Sequence, residues 1–135
     1  MRARELDVPP GLGAEYGLAH SIVGIGSGRG EKAARMLHRF ATLPDGVFVW
    51  TRDTAGGYHL GRLSGPTRDD ASPGGRAVGI VHVRPARWLP RVFLEGDVPW
   101  AVTATFARGG RNFQRIHDEE AERLTAELWD GGATA

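Results

Sequence analysis

The chain has 135 residues, 41% of them hydrophobic and none of them cysteine, and its formal net charge is +1. This length suits one domain with a sizeable core, and the lack of cysteine excludes disulfide frameworks, thiolate zinc sites and cysteine nucleophiles. No apolar run approaches the roughly 20 residues that span a bilayer, and the N-terminus lacks the hydrophobic stretch of a signal peptide, so we expect a soluble, cytoplasmic protein.

The charge is unevenly distributed along the chain. Residues 20–116 hold 14 Arg or Lys against 7 Asp or Glu, a balance of +7, whereas residues 117–135 hold one arginine against six acids. A basic core of this kind is typical of a polyanion binder, whose attraction to its partner weakens as salt rises. Arginine outnumbers lysine 16 to 1, so the base composition of a GC-rich genome is a competing explanation.

In chain order, the first elements are an arm, a strand and a helix. Residues 1–15 are rich in Pro and Gly and predict a flexible arm, which leaves residues 16–135 as the single domain. His20 to Gly26 predicts the first strand because a short β-branched run is bounded by glycines. Glu31 to Ala41 predicts an amphipathic surface helix, with its basic residues mostly on one stripe.

The middle of the chain predicts further strands. Val47 to Thr51 and Tyr58 to Ser64 predict a hairpin across a glycine-rich connection. Val78 to Val83 predicts an interior strand that continues into Ala86 to Leu89, and Pro85 implies an edge or a bend between them.

The last third predicts a second hairpin and a closing helix. Ala101 to Ala107 alternates apolar and polar residues, and a two-glycine turn separates it from a returning strand, Asn112 to Ile116. Asp118 predicts the cap of a C-terminal helix with acidic residues in its first turn. The expected fold is therefore α+β, with five or six strands in a curled mixed or antiparallel sheet or small open barrel, a helix after strand 1 and a helix at the C-terminus.

The segment from Gly24 to Gly30 lies between the first strand and the helix and superficially matches a dinucleotide-binding loop. The spacing fails, because Arg29 and Glu31 occupy the positions that need glycine, and Lys32 is not followed by Ser or Thr as in a P-loop. No nucleotide cofactor is expected. Backbone N–H groups at this helix start, with Arg29 and Lys32, can hold a nucleic-acid phosphate, and a tight strand-to-helix turn is the competing interpretation.

The five histidines show no paired ligand spacing, and no local Ser-His-acid triad or nucleophile–base pair is recognisable. His59 and His82 fall in predicted strands, where a hydrogen-bonded structural histidine is commoner than a catalytic one. We therefore expect no metal, no cofactor and no enzymatic activity.

Three of the four tryptophans, Trp50, Trp88 and Trp100, stand beside predicted strand ends with arginines or prolines near them. One interpretation of Trp50 and Trp88 is core packing. The other is that Trp50 stacks on a base whose exocyclic amino hydrogens Asp53 accepts, and that Trp88 forms the second wall, the way in which proteins hold an extruded base. His20 and Ser21, at a strand mouth, are candidate base-edge contacts or simple strand caps.

Three segments carry a family resemblance: Asp45 to Asp53 (DGVFVWTRD), Tyr58 to Pro66 (YHLGRLSGP) and His82 to Leu89 (HVRPARWL). In this order and spacing they resemble EVE-like and SRA-like members of the PUA superfamily, found in prokaryotic modification-dependent restriction proteins. They are especially similar to small actinobacterial proteins that bind 5-methylcytosine DNA. The chain departs from that pattern after the Gly-Pro, where Thr67 replaces the usual tyrosine, and it carries no nuclease motif.

The resemblance implies a PUA-like barrel whose pocket accepts a modified cytosine or, in relatives, a methylated adenine. It thus implies a non-catalytic, base-flipping reader of modified DNA that serves a separate nuclease or effector. The expected pocket residues are Trp50, Trp88, His20, Ser21 and Asp53, and the expected phosphate contacts are Arg29, Lys32, Arg52, Arg84, Arg87, Arg108 and Arg111. The alternatives are an RNA-binding module of the same superfamily, distinguished by contacts to 2′-hydroxyls, and a small nucleotide- or base-processing enzyme.

Overall fold

A computed structural model of the chain describes residues 11–26, 28–108 and 113–133. The helices within these residues are α1 (Leu12–His20), α2 (Gly30–Thr42), α3 (Pro73–Ala77), α4 (Trp100–Ala107) and α5 (Glu119–Ala133), with a 3-10 helix at Glu95–Asp97. The strands are β1 (Ile22–Ile25), β2 (Phe48–Arg52), β3 (Tyr58–Leu63), β4 (Arg68–Asp69), β5 (His82–Trp88) and β6 (Phe113–Gln114). Among the described residues, no helix combines the length and the apolar character that a membrane span requires.

The six strands form one antiparallel, barrel-like sheet in the order β1-β5-β3-β2-β6, with β4 also beside β5. β5 organises it, because its first half pairs with β1 and β4 and its second half with β3. The edge strands β1 and β6 come within 8 Å between Cα atoms but do not pair, which leaves one open seam. The α+β class, the helix after strand 1 and the C-terminal helix are confirmed.

The β2–β3 hairpin is buried on both faces, because side chains along a strand point alternately to opposite sides. Val49 and Leu63 face the barrel interior, where Phe40 of α2 packs against them. Trp50 and Leu60 face the other way, into a second core that α4 and α5 cover. The hairpin therefore has a core on each side.

Helix α5 begins after the residue that the sequence predicts as its cap. The Asp118 carboxylate accepts a hydrogen bond from the Ala121 backbone N–H at 2.9 Å, which caps the helix. Trp129 is buried, and its ring lies 5.9 Å from that of Phe48. Docking of this acidic helix therefore depends on its aromatic side chain and on the apolar outer face of β2.

The predicted hairpin over residues 101–116 is wrong. Residues Trp100–Ala107 form helix α4, and β6 pairs with β2 instead. Val102 and Phe106 are both buried, and their four-residue separation puts them on one face of a strand or of a helix alike. The segment forms a helix because the apolar face of β2 and β3 is buried when α4 packs over it. Residues 109–111 of the predicted turn, and residue 112 at the start of the predicted returning strand, lie outside the described residues.

Two further boundaries differ from the prediction. Helix α1 begins at Leu12, inside the predicted arm, whose residues 1–10 lie outside the described residues. Its buried Gly17 allows close approach to the sheet, since a Cβ there would lie 2.6 Å from the Phe113 ring. The predicted strand from Val78 starts only at His82, because residues 78–79 form the turn after α3, with Gly79 at a φ of 78°.

Asp70 ties α1 to the segment before α3. Its carboxylate accepts hydrogen bonds from the Tyr16 hydroxyl at 2.7 Å and from the Ser72 backbone N–H at 2.9 Å. The hydrogen bond from Tyr16 is the main cause that lowers the pKa of Asp70 from 3.8 to about 2, and the hydrogen bonds from Ser72 add to it. Protonation therefore favours the unfolded chain, so this contribution to stability is complete above about pH 4 and is lost as the pH falls towards about 2.

We expect Asp70→Asn to lower the free energy of unfolding near neutral pH and to flatten its fall between about pH 4 and pH 2. Urea unfolding of both proteins at several pH values measures this. Asp69→Asn is the matched control, because the Asp69 carboxylate is 81% exposed and lies at hydrogen-bond distance, 2.9 Å, from Nδ1 of His82. Parallel curves for wild type and Asp70→Asn would contradict the prediction.

Gly61 of β3 leaves no room for a side chain. A Cβ there would lie 2.6 Å from Cε3 of Trp88, and Gly61 is paired on both sides, with Val49 and with Trp88. Because the backbone is held from both edges, we expect Gly61→Ala to lower the free energy of unfolding by about 1–3 kcal/mol. Urea unfolding tests this against Gly96→Ala, a position with no neighbour within 4 Å of an added Cβ; equal losses would overturn it.

Candidate nucleic-acid interface

Helix α2 carries an exposed row of cations. Lys32, Arg35 and Arg39 recur at intervals of three and four residues, which places them on one side of the helix, and Arg29 directly precedes it. All four side chains are exposed. The other side of α2 carries Phe40, which is buried in the barrel interior. We call Arg29, Lys32, Arg35 and Arg39 the α2 basic stripe.

The charge of the α2 basic stripe is little neutralised. Arg35 lies 3.8 Å from the Glu31 carboxylate, and both side chains are largely exposed, so the pair is weak. In the part of the chain that the structure describes, no ion pair is found for Arg29, Lys32 or Arg39. The sequence prediction contained Arg29 and Lys32 but missed Arg35 and Arg39, although their helical spacing was the signal that finds them.

Arg84 fixes the C-terminal end of α2 from inside the barrel. Its guanidinium donates to the carbonyl oxygens of Phe40 at 2.9 Å, Leu43 at 2.7 Å and Gly65 at 2.9 Å. It also donates to the Asp45 carboxylate at 2.9 Å. A cation here satisfies the last carbonyls of the helix and lies at the negative end of its dipole. Arg84 is 2% exposed, so its predicted role as a phosphate contact is wrong: it positions α2.

Trp50 and Trp88 lie on opposite faces of the sheet. Trp50 is 1% exposed in the core under α4 and α5, and its Nε1 donates to the Thr125 hydroxyl at 3.1 Å. Trp88 fills the barrel interior beside Gly61 and reaches the open seam, where its ring centroid lies 6.0 Å from that of Phe113. The sequence interpretation of the two tryptophans as two walls of one pocket is therefore wrong. Of the two side chains, only that of Trp88 is partly exposed.

Asp53 closes the turn between β2 and β3. One carboxylate oxygen accepts hydrogen bonds from the backbone N–H groups of Ala55 and Gly57, both at 2.9 Å. The other lies 2.7 Å from Nε2 of His59. Burial by itself raises the pKa of Asp53, but the hydrogen bonds from His59, Gly57 and Ala55 together outweigh it and lower the pKa. Both carboxylate oxygens of Asp53 are thus engaged within the β2–β3 hairpin. The sequence interpretation of Asp53 as a base contact did not foresee this.

His20 and Ser21 lie at the junction of α1 and β1, and both are exposed. The His20 ring packs 4.3 Å from that of Tyr16. Ser21 has a φ of 58° and ends α1. Trp88 comes close to this junction, since its Nε1 donates to the carbonyl oxygen of Ile22 at 3.3 Å. The structure therefore brings His20, Ser21 and Trp88 to one end of the seam and separates them from Trp50.

The remaining predicted phosphate contacts are scattered. The Arg52 guanidinium is partly buried and lies 5.6 Å from the ring centroid of Phe106. Arg87 is exposed near Trp129, at 5.9 Å, and Arg108 is exposed at the end of α4. Arg111 lies outside the described residues. The rings beside Arg52 and Arg87 belong to α4 and α5, so these two arginines lie next to other elements than α2.

A cleft of about 240 Å³ opens between the start of β2 and α5, with Phe48 and Trp50 among its lining residues. It is smaller than most small-molecule sites. Arg115 and Glu122 also line it, and Glu122 belongs to the acidic first turn of α5. Those carboxylates repel phosphates, so this cleft is a poorer nucleic-acid site than the α2 basic stripe.

Within residues 11–26, 28–108 and 113–133, no three His, Asp or Glu side chains are grouped closely enough to hold a metal ion. Comparison with known proteins gives no match to a protein-family model, a curated protein or a solved structure. The features that bear on function are therefore those of the chain itself, above all the α2 basic stripe.

Proposed function

We propose that this chain is a non-catalytic nucleic-acid-binding domain whose α2 basic stripe contacts phosphates. The observation that carries the proposal is the row of four exposed cations with one weak internal partner. From Arg29 to Arg39 the row is about 15 Å long at 1.5 Å per residue, the length of about four base-pair steps measured along the DNA axis at 3.4 Å each.

We further propose that the ligand is DNA with a modified base, most simply 5-methylcytosine. This finer proposal is supported by the resemblance of Asp45 to Asp53, Tyr58 to Pro66 and His82 to Leu89 to PUA-superfamily readers. Trp88 at the open seam is the base-stacking candidate that remains, with His20 and Ser21 beside it.

Binding titrations with matched duplexes test this proposal. The duplexes carry cytosine, 5-methylcytosine, 5-hydroxymethylcytosine or N6-methyladenine at one position, and an RNA hairpin of equal charge is added to the series. We expect a preference for one modified duplex of at least about tenfold, or 1.4 kcal/mol. Unchanged bases after incubation, seen by mass spectrometry, are expected of a reader rather than an enzyme.

Trp88→Phe keeps an aromatic ring in the barrel and is expected to lose the preference while it keeps most of the unspecific affinity. Trp100→Phe is the matched control, because that tryptophan is 79% exposed at the start of α4. Equal binding of all duplexes would sink the base-reading proposal and leave a general binder. Tighter binding of the RNA hairpin would favour the RNA-binding alternative.

A further inference from the structure

Three large apolar side chains are exposed within one short segment. Val92 is 50% exposed, Leu94 is 70% exposed and Trp100 is 79% exposed. Phe93 between the first two is fully buried and its backbone pairs with Tyr58, so the extended chain directs Val92 and Leu94 to the outside. A concentration of exposed large apolar side chains in one segment of the chain is typical of an interaction site. We call Val92, Leu94 and Trp100 the 92–100 patch.

The edge of the 92–100 patch carries charges of both signs. Arg91 is exposed, and its guanidinium is held 4.4 Å from the ring centroid of Phe93. Glu95 and Asp97 are exposed in the 3-10 helix. Among the described residues, no ion pair engages any of these three. The cation and the carboxylates are thus available to a partner that presents the opposite arrangement.

A second copy of this chain presents that arrangement. In a two-fold dimer each residue contact occurs twice, so a contact between Arg91 of one copy and Glu95 and Asp97 of the other is made in both directions. Nucleic acid is a worse occupant, because the two carboxylates repel phosphates. We propose that the 92–100 patch is the contact between two copies, with Trp100 of each packed against Val92 and Leu94 of its partner.

The size of the patch sets the strength of the association. Three exposed side chains amount to a few hundred Å², against roughly 800 Å² per partner in a standard stable interface. We therefore expect a weak dimer with a dissociation constant on the order of 10–100 µM. The patch comes after the last residue of β5, whereas α2 comes after β1, whose end pairs with the start of β5. The patch and α2 therefore lie towards opposite ends of β5, and the dimer leaves both α2 basic stripes exposed.

Sedimentation velocity of the full chain over a range of concentrations is the test. The average mass is expected to rise from that of one chain towards that of two, and Trp100→Ala is expected to stay monomeric with an unchanged circular dichroism spectrum. Met36→Ala, at another exposed apolar side chain on α2, is the matched control and is expected to dimerise like wild type.

Charge reversal makes the test specific for a two-fold contact. Arg91→Glu alone, and Glu95→Arg with Asp97→Arg, are each expected to be monomeric because like charges meet twice. An equal mixture of the two variants is expected to dimerise, since both contacts are then attractive. Monomer at every concentration, or a mixture that stays monomeric, would overturn the proposal. The proposal would also be overturned by a Trp100→Ala variant that loses nucleic-acid affinity while its average mass in sedimentation equals that of the wild-type chain at the same concentration.

Discussion

Replacement of Arg84 by methionine is expected to lower the free energy of unfolding by about 3–5 kcal/mol. Methionine fills a similar volume but leaves the carbonyl oxygens of Phe40, Leu43 and Gly65 without their donor. Each buried oxygen left without a partner costs about 1–3 kcal/mol. Since a domain of this size has about 5–15 kcal/mol in total, the loss is a large fraction of stability. Urea unfolding followed by circular dichroism measures it.

Asp45→Asn is the matched control for this prediction. The Asp45 carboxylate is 67% exposed, so water replaces its contact with Arg84, and we expect a loss of about 1 kcal/mol or less. The loss of unfolding free energy for Arg84→Lys is expected to be close to that for Arg84→Met, because one ammonium group does not reach all the carbonyl oxygens to which the planar guanidinium donates. A loss for Arg84→Met no greater than that for Asp45→Asn would contradict the assignment of Arg84 as the anchor of α2.

Neutralising Lys32, Arg35 and Arg39 together as glutamine is expected to weaken duplex DNA binding by about 100- to 1,000-fold near 0.1 M salt. Each phosphate contact contributes about 0.9 to the slope of log K against log salt, so the slope is expected to become shallower by about 2.7. Glutamine is a good helix former and all three positions are exposed, so the fold is expected to persist. Fluorescence anisotropy at several salt concentrations gives both quantities.

Arg123→Gln is the control for the charge effect, because Arg123 is exposed on α5 between the carboxylates of Glu120 and Glu127. We expect the salt slope of this variant to equal that of wild type. A triple variant of α2 that keeps the wild-type slope would show that the phosphates lie elsewhere, with Arg87 and Arg108 the next residues to replace.

The elements that could be predicted from the sequence are those with a local signal. β1, the β2–β3 hairpin and α2 each follow from apolar spacing between turn residues. α4 does not, because Val102 and Phe106 satisfy the spacing of a strand and of a helix equally, and only the apolar face of β2 and β3 that α4 covers decides between them. α1 lacks a helical apolar stripe. The reason for a small residue in it is the close approach of Phe113, which the sequence does not show.

The candidate site shows the same division. The α2 basic stripe could be predicted because it depends on spacing within one helix. The burial of Arg84 could not, since its partners Phe40 and Leu43 lie 44 and 41 residues away in the chain. Nor could the separation of Trp50 and Trp88, because the face on which each side chain lies depends on the strand register: Trp50 pairs with Leu60, and Trp88 pairs with its neighbour Gly61. Adjacent residues of one strand point to opposite faces.

The salt dependence of binding between the wild-type chain and a duplex that carries 5-methylcytosine tests the central claim most directly. If the four cations of the α2 basic stripe contact phosphates, log K falls against log salt with a slope of about 3 to 4. A slope below about one, or no binding at low salt, would contradict the proposal that this chain binds nucleic acid through α2.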